Sequence, residues 1–214
     1  MNLELNKIYL GNAYELIKQV PDKSVDLIYT DIPYDTCYSG AGCISHKVKN
    51  MSKVINQEKE TLLQGIDYSI LDEFVRVCKY IYIYIWCSKS QIPDLINFFV
   101  GKHKCNFNIL VWCKDNPVPM GASPFLGDIE YCLVFSEKGA KYNNGWQHKS
   151  KWYISHLNQQ DKRDFKHNTI KPVELVERHL LNSTQENDVV LDPFMGSGTT
   201  ALACKHLKRK YLGF

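Results

Sequence analysis

The sequence predicts an α/β protein in which helices lie on the faces of a mostly parallel sheet. Short apolar segments rich in β-branched and aromatic residues alternate along the chain with amphipathic helical segments, a pattern typical of that fold class. Of the 214 residues, 44% are hydrophobic, which is enough for a sizeable core. No internal repeat or low-complexity segment occurs, so residues 1–214 are expected to form a single domain.

The predicted elements follow one another in a strand–helix rhythm. Strands are expected at residues 7–10, 25–30, 80–86, 107–112, 129–135 and 189–191, and helices at residues 13–19, 69–79, 92–100 and 199–207. A further strand is expected where the sequence reaches Phe214. A further helix is expected with Pro172 as its first residue, because Val173, Val176 and Leu180 recur at the spacing of one helix face. Residues 35–65 are polar without a sustained period, so a long loop is predicted there.

Charge and cysteine usage exclude several classes of protein. The 26 basic residues exceed the 23 acidic ones by 3, so any site for a polyanion must be a local patch. The opening residues carry charges where a secretory signal needs an apolar run, and the longest apolar run, Tyr80–Cys87, is far shorter than the roughly 20 residues of a membrane span. None of the eight cysteines forms a CxxC pair, so no metal site is expected and the thiols are expected to be reduced. Together with the lack of a signal and of a membrane-spanning run, this predicts a cytoplasmic protein with no membrane partner.

A glycine-rich turn between a strand and a helix is the sharpest motif of the chain. The strand 189–191 ends in Asp192, and the run PFMGSG (193–198) leads into the next helix. This arrangement aims backbone N–H groups at a ligand. A phosphate-binding P-loop is excluded because the chain has no Gly-Lys-Ser/Thr triplet. A dinucleotide, with Ala201 in the place of the third glycine, and S-adenosylmethionine, whose ammonium group suits Asp192, both stay open.

A second motif follows the buried strand 25–30. Its residues Asp31-Ile32-Pro33-Tyr34 bring an acid, a stiffened backbone and an aromatic ring to the carboxyl end of the strand, where open α/β sheets bind ligands. The amino group of a nucleobase is a poor nucleophile because its lone pair is delocalised into the ring. The Asp31 carboxylate and the Ile32 carbonyl oxygen would accept its two hydrogens and localise that lone pair, while Tyr34 would stack on the base.

The two motifs together resemble those of the amino-methylating DNA methyltransferases. That family carries an Asp/Asn/Ser-Pro-Pro-Tyr tetrapeptide and a cofactor loop Asp-Pro-Phe-x-Gly-Ser-Gly-Thr-Thr, which here read DIPY (31–34) and DPFMGSGTT (192–200). The tetrapeptide comes first, as in the circularly permuted β class of the family. Further segments similar to that class are KIYLGN (7–12), NILVWCKDNP (108–117), EYCLVF (130–135) and HNTIKP (167–172).

The resemblance implies a Rossmann-like, S-adenosylmethionine-dependent methyltransferase sheet, and it also assigns site residues. Those of the cofactor site are Gly11, Asn12, Asn168, Thr169, Lys171, Asp192, Pro193, Phe194, Gly196, Ser197, Gly198 and Thr199. Those of the catalytic site are Asp31, Ile32, Pro33 and Tyr34. Structural alternatives exist for Asn12, as a helix N-cap, for Lys171, as a solvated residue before a proline, and for Phe194, as an ordinary core residue.

The sequence departs from the family pattern at four places. Ile32 stands where the tetrapeptide has proline, Asn12 replaces an acid, and Asn168 replaces a proline. The fourth place is Phe214, beyond which the family continues with an acid that holds the cofactor ribose and a final helix. We therefore expect a sheet without that C-terminal helix and a weakened affinity for the methyl donor.

The stretch 136–166 is basic and rich in aromatic residues. Seven Lys and Arg against three Asp and Glu give it a net charge of +4, and it stands where β-class enzymes carry a target-recognition segment. Its basic residues would contact phosphates, while Asn143, Asn144, Gln147 and His148 would reach base edges. Basic residues of the 35–65 loop are expected to help. A solvated loop with a packed hairpin is the structural alternative.

These observations predict a site-specific enzyme that transfers a methyl group from S-adenosylmethionine to the N6 amine of adenine in double-stranded DNA. The absence of a Pro-Cys dipeptide disfavours methylation of cytosine C5 through a covalent adduct. The order of the motifs disfavours a protein or RNA methyltransferase. Methylation of cytosine N4 and a non-catalytic DNA-binding relic stay as alternatives. The resemblance also implies a bacterial or phage-infected cell, a homodimer and a cognate restriction endonuclease.

Overall fold

The computed structural model of the chain describes residues 3–34, 65–117, 125–143, 148–156 and 170–214. Its elements, in chain order, are β1 (Lys7–Ile8), α1 (Ala13–Leu16), β2 (Leu27–Asp31), α2 (Ile70–Val77), β3 (Tyr82–Cys87), α3 (Ile92–Ile96), β4 (Asn106–Lys114), β5 (Ile129–Ser136), β6 (Trp152–Ser155), α4 (Val173–Ser183), β7 (Val189–Asp192), α5 (Thr199–His206) and β8 (Lys210–Gly213). A 3₁₀ turn, Ile17–Gln19, extends α1, and a π-helical segment, Asn97–Lys102, extends α3. Within these ranges, no helix is both long and apolar enough to cross a membrane.

The eight strands of the described ranges form one sheet, in the order β1-β8-β7-β2-β3-β5-β4-β6. Neighbouring strands run parallel except at β5, which is antiparallel to both β3 and β4. The predicted α/β class with a mostly parallel sheet is therefore confirmed. Ile28 of β2 lies opposite Leu191 of β7, so both strands end at the same edge of the sheet. The two segments that carry the sequence motifs thereby become neighbours.

Alternating side chains along the strands build a hydrophobic core on each face of the sheet. In β3, Ile83 and Ile85 pack into the core that α1, α2 and α3 share, whereas Tyr82, Tyr84 and Trp86 pack into the core that α4 and α5 share. Every residue of β3 is buried, as expected for a strand that helices cover on both faces. The edge of the sheet at which β2 and β7 end is thus supported by hydrophobic cores on both faces.

Two parts of the predicted element pattern differ from the structure. Pro172 is the N-cap of α4 rather than its first residue, because its ψ of 134° is extended. Strand β6 is not predicted by the sequence because its residues lie in a polar, basic stretch, where parallel pairing with β4 makes them a strand. The loop predicted at 35–65 lies outside the described residues except for Gly65, and of the stretch 136–166 the structure describes 136–143 and 148–156.

Candidate active site

A cavity of about 470 Å³ opens at the carboxyl edge of β2 and β7. Its volume falls within the roughly 300–1,000 Å³ of small-molecule sites. Ten predicted site residues line it: Asp31, Ile32, Pro33, Tyr34, Lys171, Asp192, Phe194, Gly196, Ser197 and Thr199. The tetrapeptide and the glycine-rich turn, far apart in the sequence, therefore form one site.

The glycine-rich turn after β7 depends on two residues with left-handed backbone. Gly196 has a φ of 52° and Gly198, the N-cap of α5, has a φ of 84°, values that residues with a Cβ rarely adopt. The Gly198 N–H donates to the Met195 carbonyl oxygen (3.0 Å), and the Met195 N–H donates to the Phe214 carbonyl oxygen (2.9 Å). These bonds fix the shape of the turn and tie it to the residue after β8.

Asp192 is the buried last residue of β7, and its carboxyl group anchors the turn. Its Oδ2 accepts a hydrogen bond from the Thr200 hydroxyl (2.6 Å), and its Oδ1 accepts one from the Phe194 N–H (3.2 Å). Burial raises the pKa of Asp192 to about 6, although these hydrogen bonds favour the carboxylate. The cavity wall therefore contains a carboxyl group that titrates just below neutral pH.

The tetrapeptide is held by hydrogen bonds to β3 and to the start of the helix that follows it. Ile32 is buried, and its N–H donates to the Trp86 carbonyl oxygen (3.2 Å). The Pro33 carbonyl oxygen accepts a hydrogen bond from the side-chain amide of Gln91 (2.8 Å), which is fully buried. These bonds hold the segment around Ile32, where the family pattern has the first of its two prolines.

Two polar atoms of the tetrapeptide are buried without a hydrogen-bond partner among the described residues, namely Asp31 Oδ1 and the Tyr34 hydroxyl oxygen. Buried polar atoms are normally paired, so unpaired ones at a cavity wall point to a ligand. Burial raises the pKa of Tyr34, and the charges of Asp31 and Glu130 together with a side-chain interaction with Asp31 raise it further, so the phenol stays protonated close to that carboxylate. The wall thus offers a carboxylate oxygen to a hydrogen-bond donor.

A buried lysine holds the other oxygen of Asp31. The Lys171 ammonium lies 2.5 Å from Asp31 Oδ2 and 3.0 Å from Glu130 Oε2. It also lies 4.8 Å from the centre of the Trp86 ring. Glu130 Oε1 in turn lies 2.7 Å from the Lys114 ammonium. Four charges of alternating sign, here named the charge chain (Lys114, Glu130, Lys171 and Asp31), thus end at the cavity.

The inner members of the charge chain stabilise each other's ionised form. Burial by itself would lower the pKa of Lys171, but the carboxylates of Asp31 and Glu130 outweigh it and raise that pKa. Burial would likewise raise the pKa of Glu130, but Lys171 and Lys114 outweigh it and lower that pKa. Lys171 and Glu130 are therefore both charged near neutral pH.

An aromatic network fixes the Trp86 ring at the cavity wall. Its Nε1–H donates to the Tyr29 hydroxyl oxygen (2.9 Å), and that hydroxyl lies 3.2 Å from Nδ1 of His179. Burial lowers the pKa of His179 to about 3, so its ring is neutral and shares a single hydrogen bond with the Tyr29 hydroxyl. The ring that faces the Lys171 ammonium is thereby held in one orientation.

Four predicted cofactor residues do not line the cavity: Gly11, Asn12, Pro193 and Gly198. Two more, Asn168 and Thr169, lie outside the described residues. Asn12 is exposed and is the N-cap of α1, its side-chain oxygen accepting from the Tyr14 N–H (2.9 Å). Helix α1 nevertheless contacts the turn, because the Tyr14 ring packs edge-on against Phe194 with 6.2 Å between ring centroids.

Six cavity residues have no site role in the sequence prediction: Tyr29, Trp86, Glu130, Val176, Met195 and Thr200. Met195 and Thr200 lie inside the recognised loop and follow from it. Tyr29 and Trp86 lie on strands whose continuous apolar runs predict burial but not proximity to a cavity. Glu130 has the clearest signal, an acid inside an otherwise apolar strand, and such a residue needs a buried partner.

The fold and the site together define the class of protein. An open α/β sheet with a glycine-rich turn, a buried acid and a small-molecule cavity at its carboxyl edge is a Rossmann-like cofactor-binding protein. Within that class, the sequence model of a family described as DNA methylase matches residues 25–214. The chain belongs to this family of N6- and N4-DNA methyltransferases, whose cofactor is S-adenosylmethionine.

Individual relatives agree with this assignment. The chain is 27% identical to the type II methyltransferase M2.LlaDCHI of Lactococcus lactis subsp. cremoris, over 95% of this chain and 81% of the relative. It superimposes on the structure of an M1.HpyAVI–SAM complex with a TM-score of 0.65 at 29% identity, covering 97% of this chain and 92% of the other. It shares the fold of the cytosine-N4-specific PvuII DNA methyltransferase, with a TM-score of 0.70 at 17% identity, covering 100% of this chain and 82% of the other.

Proposed function

We propose that the protein transfers a methyl group from S-adenosylmethionine to the N6 amine of adenine in DNA. The observation that carries this proposal is Asp31 Oδ1, a buried acceptor without a partner among the described residues, at the wall of the cavity. An exocyclic amine is a hydrogen-bond donor suited to that oxygen. Membership of the DNA methylase family supports DNA as the molecule that carries the amine.

The residues at the cavity wall fit the methyl donor. Asp192 offers a carboxyl group to its ammonium, and the glycines of the turn 193–198 allow its main chain to approach closely. Phe194 supplies an apolar face at the same wall. When bound, S-adenosylmethionine supplies an electrophilic methyl group on a sulfonium sulfur. The predicted contacts of Asn12, Asn168 and Thr169 with this cofactor are part of the proposal.

The tetrapeptide would orient the target base after it is flipped out of the duplex. Asp31 Oδ1 accepts one N–H of the amine and the Ile32 carbonyl oxygen accepts the other, which draws the lone pair onto nitrogen. Tyr34 stacks on the base, which contributes roughly 1–3 kcal/mol. Pro33, held by Gln91, keeps these groups in place. Catalysis then rests on positioning and on exclusion of water rather than on a covalent enzyme intermediate.

Cytosine N4 is the alternative target, because it presents a similar amine. The leading acid of the tetrapeptide, Asp31, favours adenine, since the resemblance associates serine at that position with cytosine enzymes. Specificity for cytosine N4 belongs to the PvuII methyltransferase itself, which shares the fold at 17% identity.

Mass spectrometry of nucleosides tests the proposal. Unmethylated DNA incubated with the protein and S-adenosylmethionine is expected to yield N6-methyladenine. The Asp31→Ala variant is expected to lower the rate at least about 10²-fold, because an electrostatic contact to the reacting amine is lost. Asp94→Ala, an exposed acid in the first turn of α3, serves as the matched control and should leave the rate unchanged.

Two results would contradict the proposal in different ways. N4-methylcytosine would retain the mechanism and overturn the choice of base. No methylated nucleoside, together with no thermal stabilisation by S-adenosylmethionine, would favour the DNA-binding relic. A cofactor-binding protein at a ligand concentration 100 times Kd should instead gain about 2.7 kcal/mol of stability.

The proposal includes recognition of the target sequence by residues 136–166. Of the described part, Lys149 and Lys151 are exposed beside β6, where they can contact phosphates. Replacing both with glutamine should make the slope of log K for DNA binding against log salt concentration less steep, by the contribution of about two phosphate contacts. An unchanged slope in fluorescence-anisotropy titrations would contradict this role. A homodimer, checked by light scattering, and a cognate restriction endonuclease complete the proposal.

A further inference from the structure

The ammonium group of Lys171 uses all of its donors within the protein. It has three N–H bonds and three partners, namely Asp31 Oδ2, Glu130 Oε2 and the face of the Trp86 ring. Its side chain is only 7% exposed. A hydrogen bond from this ammonium to a bound methyl donor would therefore have to replace one of these contacts.

We infer that Lys171 and Glu130 are positioning residues for Asp31, which hold its Oδ2 and direct Oδ1 toward the substrate amine. This inference rests on the proposed function of Asp31. It gives Lys171 a different role from the cofactor contact that the resemblance implies. Glu130, to which the sequence motifs assign no role, becomes part of the site.

The register of the sheet explains how the charge chain is held. Glu130 of β5 lies opposite Trp112 of β4, so Lys114, two residues further along β4, points to the same face and reaches Glu130. Glu130 is thereby fixed between two ammonium groups. Its other oxygen then holds Lys171, whose position sets which oxygen of Asp31 is occupied. Without Lys171, the carboxylates of Asp31 and Glu130 would share a buried wall with no cation between them.

The charged and neutral groups around Asp31 determine how the loss of Lys171 should affect the charge of its carboxylate. Those that interact with its charge are Tyr29, Tyr34, Cys87, Cys132, Lys171 and Asp192, with Glu130 bound to the same ammonium. Burial raises the pKa of the phenols and thiols, which are therefore neutral near pH 7. Removing Lys171 leaves the Asp31 carboxylate among neutral and acidic groups of this described set, so its negative charge loses the cation that faces it.

A ¹³C-carboxyl NMR titration of the full chain tests this without requiring catalysis. The Asp31 signal is identified by its loss in Asp31→Asn. The pKa of Asp31 should be higher by about 1–3 units in Lys171→Met than in the wild type, and nearly unchanged in Lys171→Arg, which keeps the charge. The matched control is Lys102→Met, which removes an exposed lysine paired with Asp72 at 2.7 Å and should not move the signal.

Activity and cofactor binding supply the second readout. In Lys171→Met, kcat should fall at least 10-fold and the acidic limb of its pH profile should move to higher pH, while the Kd for S-adenosylmethionine stays within about threefold. Glu130→Gln should reduce kcat less. The double variant Lys171→Met with Glu130→Gln should recover part of the shift in the acidic limb, because the second carboxylate is no longer ionised beside Asp31.

The opposite pattern would overturn the inference. A Kd for S-adenosylmethionine weakened more than 10-fold in Lys171→Met, with the Asp31 titration unchanged, would make Lys171 a cofactor ligand. Circular dichroism shows whether each variant is folded. If Lys171→Met does not fold, Glu130→Gln and Lys171→Arg still provide the test. Failure of the proposed function is seen separately, as wild-type protein that methylates no adenine, whereas the titration still decides the role of Lys171.

Discussion

Asp192 is the residue beside the glycine-rich turn whose carboxyl group makes stability depend on pH. Only 3% of its surface is exposed. Burial raises its pKa from 3.8 to about 6. Between these two values the folded chain holds a proton that the unfolded chain has lost, so the free energy of unfolding falls as pH rises through this window. A pKa shift of about two units corresponds to a loss of about 3 kcal/mol in the free energy of unfolding across this window.

The same titration should govern affinity for the methyl donor. The ammonium of S-adenosylmethionine is expected to pair with ionised Asp192, so the Kd measured by calorimetry should increase up to tenfold per pH unit as the pH falls below 6. Asp192→Asn should bind weakly, with little change between pH 5 and 7. Thr200→Val removes the hydroxyl that donates to Oδ2, and the onset of weakening should move to higher pH. A constant wild-type Kd from pH 5 to 7 would contradict this role.

Among the elements, α4 shows how a side chain proposed to bind DNA can instead complete a helix. The Nδ2 of Asn143 donates to the carbonyl oxygens of Leu181 (2.5 Å) and Thr184 (2.9 Å), at the C-terminal end of α4. Its side-chain oxygen accepts a hydrogen bond from the Gln185 amide. These contacts satisfy carbonyl groups that a helix end leaves open. The hypothesis that Asn143 reaches base edges therefore competes with a structural role that uses both ends of its amide.

The variant Asn143→Ala separates the two roles. Loss of the cap should lower the free energy of unfolding by about 1–2 kcal/mol in denaturant titrations, because two partly buried hydrogen bonds are lost. The methylated DNA sequence, read by sequencing the product, should stay the same. Asn106→Ala, at the exposed start of β4, should change stability by no more than about 0.5 kcal/mol. Unchanged stability with an altered target sequence would instead support base reading.

For the whole molecule, strand order sets a gradient of stability across the sheet. The central strands β2 and β3 are buried between two helix layers. The edge strands are different: β1 has two exposed residues, and in β6 Trp152 and Ile154 are 58% and 55% exposed. Edge strands open by local fluctuations, whereas central strands exchange only through larger unfolding.

Hydrogen exchange measured by mass spectrometry tests this gradient. Amides of β2 and β3 should exchange at rates near the global unfolding limit, and those of β1 and β6 at least about 10²-fold faster. Helix α2, whose buried face includes Leu71 and Phe74, should follow β3 and serves as an internal reference. Equal protection of β6 and β3 would show that the edge strand β6 is covered in solution, for instance by self-association of the protein in the absence of DNA.

Much of the fold is predictable because strands and helices are local. Short apolar runs rich in β-branched and aromatic residues predict β2, β3 and β7, and the spacing of apolar residues predicts α2 and α4 within a few residues. Strand β6 and the antiparallel direction of β5 are not predictable in this way, because a strand's partner and direction depend on contacts with distant residues. The circular permutation stays a prediction from motif order.

By itself, the sequence determined that an acid with a Pro-Tyr turn ends one buried strand and that a glycine-rich turn ends another. Acids at strand ends, proline and glycine act through the backbone nearby, so they are readable without the fold. Only the tertiary structure decided that the Lys171 ammonium bridges Glu130 and Asp31 Oδ2, while Asp31 Oδ1 has no hydrogen-bond partner among the described residues. These residues are distant in the chain, and strand order together with burial determines both their contact and their charge.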